Sequence, residues 1–322
     1  MIGIGCLGLI IITIIGVFIF FIAIGSTNDS EEMIDDVEYV NLLIDGGCKT
    51  GEVLIEDEQV CSIIIDCQNS TDCAQWGDNV VQQLEANYGS LVLEEAVATD
   101  SKDEVLAQYD VNLEYDTLEA YGNVNDETLL YHSSLWNSFA WLIPEEARLD
   151  MTKFEVFDSG TLLAYVQTND NNAEEWTLGM NRKNIELASE RMVTYIHEFA
   201  HLLSLRNTEI DYFANEQSCE GNYIEDYCYL EDAYINYFYQ FFYKDAQEAS
   251  YEYFVSDYAM SSIVEDFAES FAHFVLTPYP TGNTIADEKI RFFYHFDNLI
   301  ILRAQILGRA ATWLDRTVLY VR

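Results

Sequence analysis

One stretch of this chain, residues 189–205, constrains its fold more strongly than any other. It contains no glycine or proline, and its large apolar residues recur at three- and four-residue spacing, which is typical of a helix with one buried stripe: Met192, Ile196, Phe199 and Leu203. Ser189 is a suitable N-cap, and Glu190 is favourable in the first turn. The pattern predicts a long amphipathic helix that packs against the core.

This helix carries the sequence His-Glu-Phe-Ala-His, from His197 to His201. Histidines at i and i+4 leave the same helix face about one turn apart, which is the reach needed to bind one zinc ion. Glu198 is too close in sequence to ligate alongside His197, and it is placed to deprotonate a zinc-bound water. Because the motif fixes few positions, the bare pattern also leaves open a pair of partly buried histidines without a metal.

A second helix is predicted over residues 262–276, with Ser262 as its N-cap. Glu265 and Glu269 lie one turn apart on the same face as His273, on a helix that is otherwise mostly apolar. Two acids in such surroundings are costly unless they have partners. A zinc ion would provide them, with one glutamate as third ligand and the other hydrogen-bonded to a ligand histidine. Spacing alone does not rank the two glutamates.

Together the two helices resemble those of gluzincin peptidases of the anthrax lethal factor type and of bacterial zinc peptidases similar to them. The resemblance covers residues 125–322. It rests on the His-Glu-Phe-Ala-His motif followed by Tyr-Ala, five further residues and Glu-Asp-Phe-Ala-Glu-Ser-Phe, a pattern that begins at Tyr258. It implies that Glu265 is the third zinc ligand, that Glu269 supports a ligand histidine and that Tyr258 assists the transition state. No third histidine follows His201 at the metzincin spacing.

The resemblance implies an α+β, zincin-like metallopeptidase domain with a small mixed sheet, an active-site helix and a mostly helical C-terminal half. The implied activity is that of a zinc-dependent endopeptidase acting on a protein or peptide substrate. One Zn²⁺ per chain would be held by His197, His201 and Glu265, leaving a position for water. Glu198 would act as general base, and Tyr258 would hydrogen-bond the developing oxyanion or the leaving group.

Two other functions remain open. The first is a catalytically silent, zinc-stabilised ectodomain for adhesion or sensing, and the second is a helical ectodomain without metal. Glu198 favours the enzyme over the first, because structural zinc sites are closed by four ligands and need no base. The formal net charge of −41, with only 15 Lys and Arg, argues against nucleic acid as a partner, since no basic surface can displace counterions from phosphates.

Residues 2–24 are apolar and uncharged, and this segment is long enough to span a bilayer. We expect a single-pass anchor over residues 1–25, because the run exceeds that of a signal peptide and no Lys or Arg precedes it. Secretion after cleavage near Gly25 is the alternative. Residues 26–38 are acidic and predict a linker.

Six cysteines lie outside the apolar segment, and their even number and short spacings indicate disulfides in an oxidising compartment. The simplest pairing is local: Cys48 with Cys61, Cys67 with Cys73, and Cys219 with Cys228. There is no C-x-x-C pair for a second zinc site. We therefore expect the N-terminus on the inner side of the membrane and the peptidase domain on the extracellular side.

Residues 39–120 are predicted to form a small cysteine-containing α+β region of unknown role, ahead of the peptidase domain at 121–322. Predicted elements are strands at 40–44, 52–56, 60–66 and 175–181, helices at 72–86 and 127–143, and a hairpin that joins 154–157 to 162–167. The strand at 175–181 directly precedes the histidine-bearing helix. In zinc peptidases of the type that the chain resembles, such a strand borders the cleft and a substrate can pair with its free edge. An ordinary sheet strand is the alternative. The aromatic run at 234–243 is interpreted as a core helix.

Overall fold

The computed structural model describes the chain from residue 52 onward, with gaps: residues 52–55, 60–63, 65–92, 104–169, 172–182, 188–244 and 251–320. The predicted anchor, the acidic linker and the strand predicted at 40–44 lie outside the described residues. Cys48 also lies outside them, so its pairing with Cys61 stays a prediction. No helix of the described residues combines the length and apolar character needed to cross a membrane.

The described residues form a mixed α+β fold, as the sequence predicts. Seven α-helices occur in this part of the chain: α1 (Ser70–Tyr88), α2 (Asp126–Leu142), α3 (Ala188–Leu205), α4 (Tyr234–Phe242), α5 (Ile263–Leu276), α6 (Ile285–Phe292) and α7 (Asp297–Tyr320). The strands are β1 (Glu52–Ile55), β2 (Val60–Ile63), β3 (Glu104–Asn112), β4 (Thr117–Ala120), β5 (Met151–Asp158), β6 (Ala164–Asn169), β7 (Asn172–Asn181), β8 (Ile210–Asp211), β9 (Asn222–Ile224) and β10 (Tyr227–Tyr229).

The central sheet has five strands in the order β4-β3-β5-β7-β6. Its neighbours are antiparallel except for β5 and β7, which run parallel. A hairpin of β1 and β2 and a three-stranded sheet in the order β8-β10-β9 are separate from it. The predicted boundary near residue 120 falls within the central sheet, because β3 and β4 precede it while β5, β6 and β7 follow it.

The predicted hairpin between β5 and β6 is wrong, because β7 lies between them. Phe154 of β5 and Val166 of β6 both pair with Leu178 of β7, from opposite sides. The chain crosses the end of β7, where the Asn181 side chain donates to the carbonyls of Ser159 (2.9 Å) and Leu162 (2.7 Å). In this interior position the inward side chains of β7 are at most 1% exposed: Trp176, Leu178 and Met180.

The free edge predicted for the strand at 175–181 is wrong for the same reason. β6 forms this edge of the sheet instead, with β7 on one side and no strand among the described residues on the other. β6 also packs against α3. The sheet edge nearest the histidine-bearing helix therefore belongs to β6.

Local signals in the sequence position most of the helices correctly. The side chains of Asn69, Asn125 and Ser262 cap α1, α2 and α5 by accepting hydrogen bonds from backbone amides three residues on. The aromatic run forms α4, whose Phe238 is fully buried against α5 and α6. The disulfides Cys67–Cys73 and Cys219–Cys228 are formed, which confirms two of the local pairings.

The segment before the central sheet is attached to the C-terminal half by a buried arginine. Arg303 of α7 is 0% exposed, and its guanidinium pairs with Asp78 of α1 at 3.0 Å. It also donates to the carbonyls of Phe274 (2.6 Å) and Thr277 (2.9 Å) at the end of α5. A buried charge of this kind is tolerated only when its donors are satisfied. Arg303 therefore links α1, α5 and α7.

A buried histidine lies between the sheet and α2. His132 is 2% exposed, and its Nδ1 shares a hydrogen bond of 2.5 Å with the hydroxyl of Tyr109 in β3. Burial, and secondarily the charge of Arg182, lowers the pKa of His132 to about 4. The ordinary pKa of histidine is about 6.5. Between these values the unfolded chain binds more protons than the folded one, so the folded state loses stability as the pH falls.

We predict that the free energy of unfolding drops between pH 6.5 and pH 4.5 partly because of His132. One pKa unit corresponds to about 1.4 kcal/mol, so His132 contributes roughly 2 kcal/mol over this range. Urea titrations at both pH values should show that drop reduced in His132→Gln and unchanged in the control His295→Gln, which alters an exposed histidine. An equal drop in His132→Gln and in the parent protein would contradict the assignment.

Candidate metal centre

The two helices predicted from the sequence are packed directly against each other. α3 contributes His197 and His201, each 8% exposed, and α5 contributes Glu265. The contact between the helices includes the rings of Phe199 and Phe271, whose centroids are 6.0 Å apart. Apolar packing between α3 and α5 therefore brings these polar side chains together.

Three potential ligand atoms form a nearly equilateral triangle. The Nε2 atoms of His197 and His201 are 3.0 Å apart. Glu265 Oε2 is 3.1 Å from the first and 3.2 Å from the second. A tetrahedral zinc site with bonds of about 2.0–2.1 Å places its ligand atoms roughly 3.3 Å apart. The observed triangle is close to one face of such a site, so these three residues can hold one metal ion.

Hydrogen-bonding logic requires a second proton or a metal ion at this point. His197 Nδ1 lies 2.6 Å from a carboxylate oxygen of Glu269, so Nδ1 carries the hydrogen in that bond. In the neutral ring Nε2 then has only a lone pair, and it faces Glu265 Oε2, which is also an acceptor. A second proton or a metal ion must separate them. Without a metal, burial alone lowers the pKa of His197, but the hydrogen bonds to Glu265 and Glu269 outweigh it and raise that pKa.

The geometry separates the roles of the two glutamates, which spacing alone could not rank. Glu265 Oε2 faces both Nε2 atoms, as a ligand does. Glu269 contacts the opposite nitrogen of His197, which is how carboxylates orient the histidines that ligate metals. Charge and hydrogen bonds from both histidines outweigh the burial of Glu265 and hold its pKa low. The arrangement favours Glu265 as ligand and Glu269 as its support.

Ser256 is a residue of this site that the sequence analysis did not find. Its hydroxyl donates to the second carboxylate oxygen of Glu269 at 2.7 Å and accepts from the backbone N–H of Ala259 at 3.1 Å. It thereby ties Glu269 to the 3₁₀ turn Tyr258–Met260. Serine hydroxyls often bond to backbone amides a few residues on. Its position just ahead of Tyr258 is the one signal that could have indicated this role.

Glu198 and Tyr258, the other predicted site residues, lie around the same centre. Glu198 is 6% exposed, and one of its oxygens is buried without a hydrogen-bond partner among the described residues. Burial raises the pKa of Glu198. The ring of Tyr258 stacks on that of His197, with centroids 5.8 Å apart and an angle of 28° between the planes. Burial and then the charge of Glu265 raise the pKa of the Tyr258 phenol, which remains a hydrogen-bond donor.

No family model, curated protein or solved structure matches this chain. The resemblance to gluzincins therefore stays an expectation from the motif residues. The structure shows that three of these residues, far apart in sequence, bring potential ligand atoms to one point. The identity of the metal stays a prediction from the ligand set of two histidines and one glutamate.

We predict that Ser256 supports metal binding through Glu269. Ser256→Ala removes the hydrogen bond to Glu269 and the hydrogen bond from the backbone N–H of Ala259. The affinity for zinc should fall about 10- to 100-fold, the usual effect of removing a group that orients a metal ligand through a hydrogen bond. Competition with a chromophoric chelator measures this affinity. Ser261→Ala is the matched control, because Ser261 donates only to a backbone carbonyl of the same turn. Equal zinc affinity in Ser256→Ala and in the parent protein would refute this role.

Proposed function

We propose that this protein is a zinc-dependent endopeptidase that hydrolyses peptide bonds with an activated water. The observation that carries the proposal is the combination of two features. Three inward-facing ligand atoms lie within 3.2 Å of one another, and a buried carboxylate, Glu198, lies beside them without being one of them. Two histidines and one glutamate, with a fourth position open, form a ligand set used by catalytic zinc sites.

His197, His201 and Glu265 would hold the ion, which would supply Lewis-acid chemistry by lowering the pKa of a bound water and polarising the scissile carbonyl. Glu198 accepts a proton from that water on its carboxylate and delivers it to the departing amine nitrogen. Tyr258 donates a hydrogen bond to the oxyanion or to the leaving group.

The outer edge of β6 is the proposed path for the substrate. An edge strand presents unpaired N–H and C=O groups, and an extended peptide can add to it as a further strand. β6 packs against α3, the helix that carries the two histidines. Burial, then the hydrogen bond to Glu155 and lastly the charge of Glu198 raise the pKa of Tyr165 in β6, in accord with the strand running close to Glu198.

We place the activity outside the membrane. The disulfides Cys67–Cys73 and Cys219–Cys228 support an oxidising compartment. The apolar residues 2–24 support an anchor whose C-terminal side carries the peptidase, with secretion after cleavage near Gly25 as the alternative. Accessibility of the folded domain to protease added to intact cells tests this topology, and complete protection would rule it out.

The first prediction concerns the metal. The purified domain should hold one zinc ion per chain by elemental analysis. His201→Ala and Glu265→Ala should both lose it, because two remaining ligands leave the ion under-coordinated. Glu190→Gln is the control, since Glu190 lies in the first turn of the same helix and away from the site. Stoichiometric zinc in His201→Ala would show that the ion is bound elsewhere.

The second prediction separates the enzyme from a silent zinc-stabilised ectodomain. Glu198→Gln should keep its zinc. Its rate of peptide cleavage should fall about 10²- to 10⁴-fold, the usual effect of removing a general base. Tyr258→Phe should also keep zinc and lose activity, because only a hydroxyl is removed. A mass-spectrometric digest of a broad peptide library measures the rate. Zinc binding with no cleavage by the parent protein would favour the silent ectodomain, and cleavage undiminished in Glu198→Gln would refute the mechanism.

A further inference from the structure

The ammonium group of Lys289 in α6 is a buried charge that the proposed mechanism does not use. Lys289 is 2% exposed, and its Nζ lies 2.5 Å from Oδ2 of Asp266, the residue that follows Glu265 in α5. Asp266 is 0% exposed. A buried ammonium group is costly unless it has partners, and removing its partner would be costly too. The elements that supply these partners are therefore held together at this point.

Aromatic rings from two other parts of the chain also surround this ammonium group. Its Nζ lies 4.0 Å from the ring centroid of Phe254, well within the distance of about 6 Å over which a ring face attracts a cation. The ring centroid of Tyr243 is 5.4 Å away, and the Tyr243 hydroxyl donates to Asp266 at 2.6 Å. The attraction between a cation and a ring is stronger where water is excluded, as it is around Lys289. The ammonium group therefore links Phe254 to α5.

Phe254 belongs to the segment that carries two residues of the candidate metal centre, Ser256 and Tyr258. Ser256 donates to the glutamate that supports a ligand histidine, and the ring of Tyr258 stacks on that histidine. The segment packs against α6 at the 3₁₀ turn Tyr251–Tyr253 and against α5 at the turn Tyr258–Met260. The contacts of the segment with α5 and α6 therefore determine where Ser256 and Tyr258 lie relative to the metal ligands.

We propose that Lys289 is a positioning residue of the candidate metal centre. Its ammonium group holds the segment around Ser256 against α5, the helix that carries Glu265. It acts through the carboxylate of Asp266 on the helix and through the ring of Phe254 on the segment. The proposal rests on the metal site of the proposed peptidase, and it adds to that site a residue of α6, a helix that contributes none of the three ligands.

The affinity of the folded protein for zinc separates this role from that of an ordinary buried ion pair. An ion pair that only stabilised the core would change the free energy of unfolding and leave the zinc affinity of the folded protein unchanged. A positioning residue changes that affinity even when the protein is fully folded, because a displaced support holds a ligand less well. Competition with a chromophoric chelator measures the affinity, under conditions in which circular dichroism shows each variant to be folded. This measurement does not require that the protein cleaves peptides.

Lys289→Met removes the charge and keeps a flexible apolar side chain in its place. The zinc affinity of this variant should fall about 10- to 100-fold, as for other groups that orient a metal ligand indirectly. Arg303→Met is the matched control, because Arg303 is a cation of similar burial that pairs with a carboxylate and bonds to the C-terminal end of α5. It should lower the free energy of unfolding and keep the zinc affinity. Equal zinc affinity in Lys289→Met and in the parent protein would overturn the proposal.

A milder variant decides the question if Lys289→Met does not fold. Phe254→Leu leaves the buried ion pair intact and removes only the ring beneath the ammonium group, so the zinc affinity should fall about 2- to 10-fold. Phe213→Leu, the same change at a side chain that is 90% exposed, should keep it. When Phe254→Leu is combined with Ser256→Ala, the two losses of binding free energy should be less than additive, because both act through one segment. Unchanged affinity in Phe254→Leu, or full additivity, would overturn the proposal.

The role of Lys289 and the peptidase function can fail separately. A parent protein that binds zinc and cleaves no peptide, together with weaker zinc binding in Lys289→Met and Phe254→Leu, would refute the peptidase and support the role of Lys289. Peptide cleavage by the parent protein, together with unchanged zinc affinity in both variants, would leave the peptidase intact and overturn this role. A parent protein that binds no zinc would overturn both.

Discussion

The site depends on one constraint, which is that two imidazole nitrogens and one carboxylate oxygen are held within 3.2 Å of one another in a mostly buried position. Apolar packing of α3 on α5 enforces this arrangement, since Phe199 and Phe271 are fully buried where the helices meet. Acceptor atoms held so close are unfavourable unless a cation lies between them. The free energy of packing thus maintains a group of three residues that could hold a metal ion.

A buried ion pair next to the site also constrains the orientation of α5. Asp266, adjacent to Glu265 in sequence, is 0% exposed and pairs with the buried ammonium group of Lys289 at 2.5 Å. The hydroxyl of Tyr243 donates to the same carboxylate oxygen at 2.6 Å. Because neighbouring residues on a helix point in different directions, this ion pair holds Glu265 toward α3. Loss of one partner would leave a buried charge unpaired, so the rotation of α5 is strongly determined.

The candidate metal site and the unpaired edge of the sheet lie on two elements that are in contact, α3 and β6. α3 carries both histidines, and β6 leaves one edge unpaired among the described strands. The packing of the helix on the sheet therefore fixes the position of one feature relative to the other.

The sequence by itself determined the features that depend on short-range interactions. The caps at Asn125 and Ser262, the two local disulfides and the histidine pair on one helix face follow from contacts within about ten residues along the chain. Only the tertiary structure decided the strand order, the different positions of Glu265 and Glu269 around His197 and the hydrogen bond of Ser256 to Glu269. These depend on which distant segments meet, and neither periodicity nor spacing encodes that, because the packing of the whole core selects the partners.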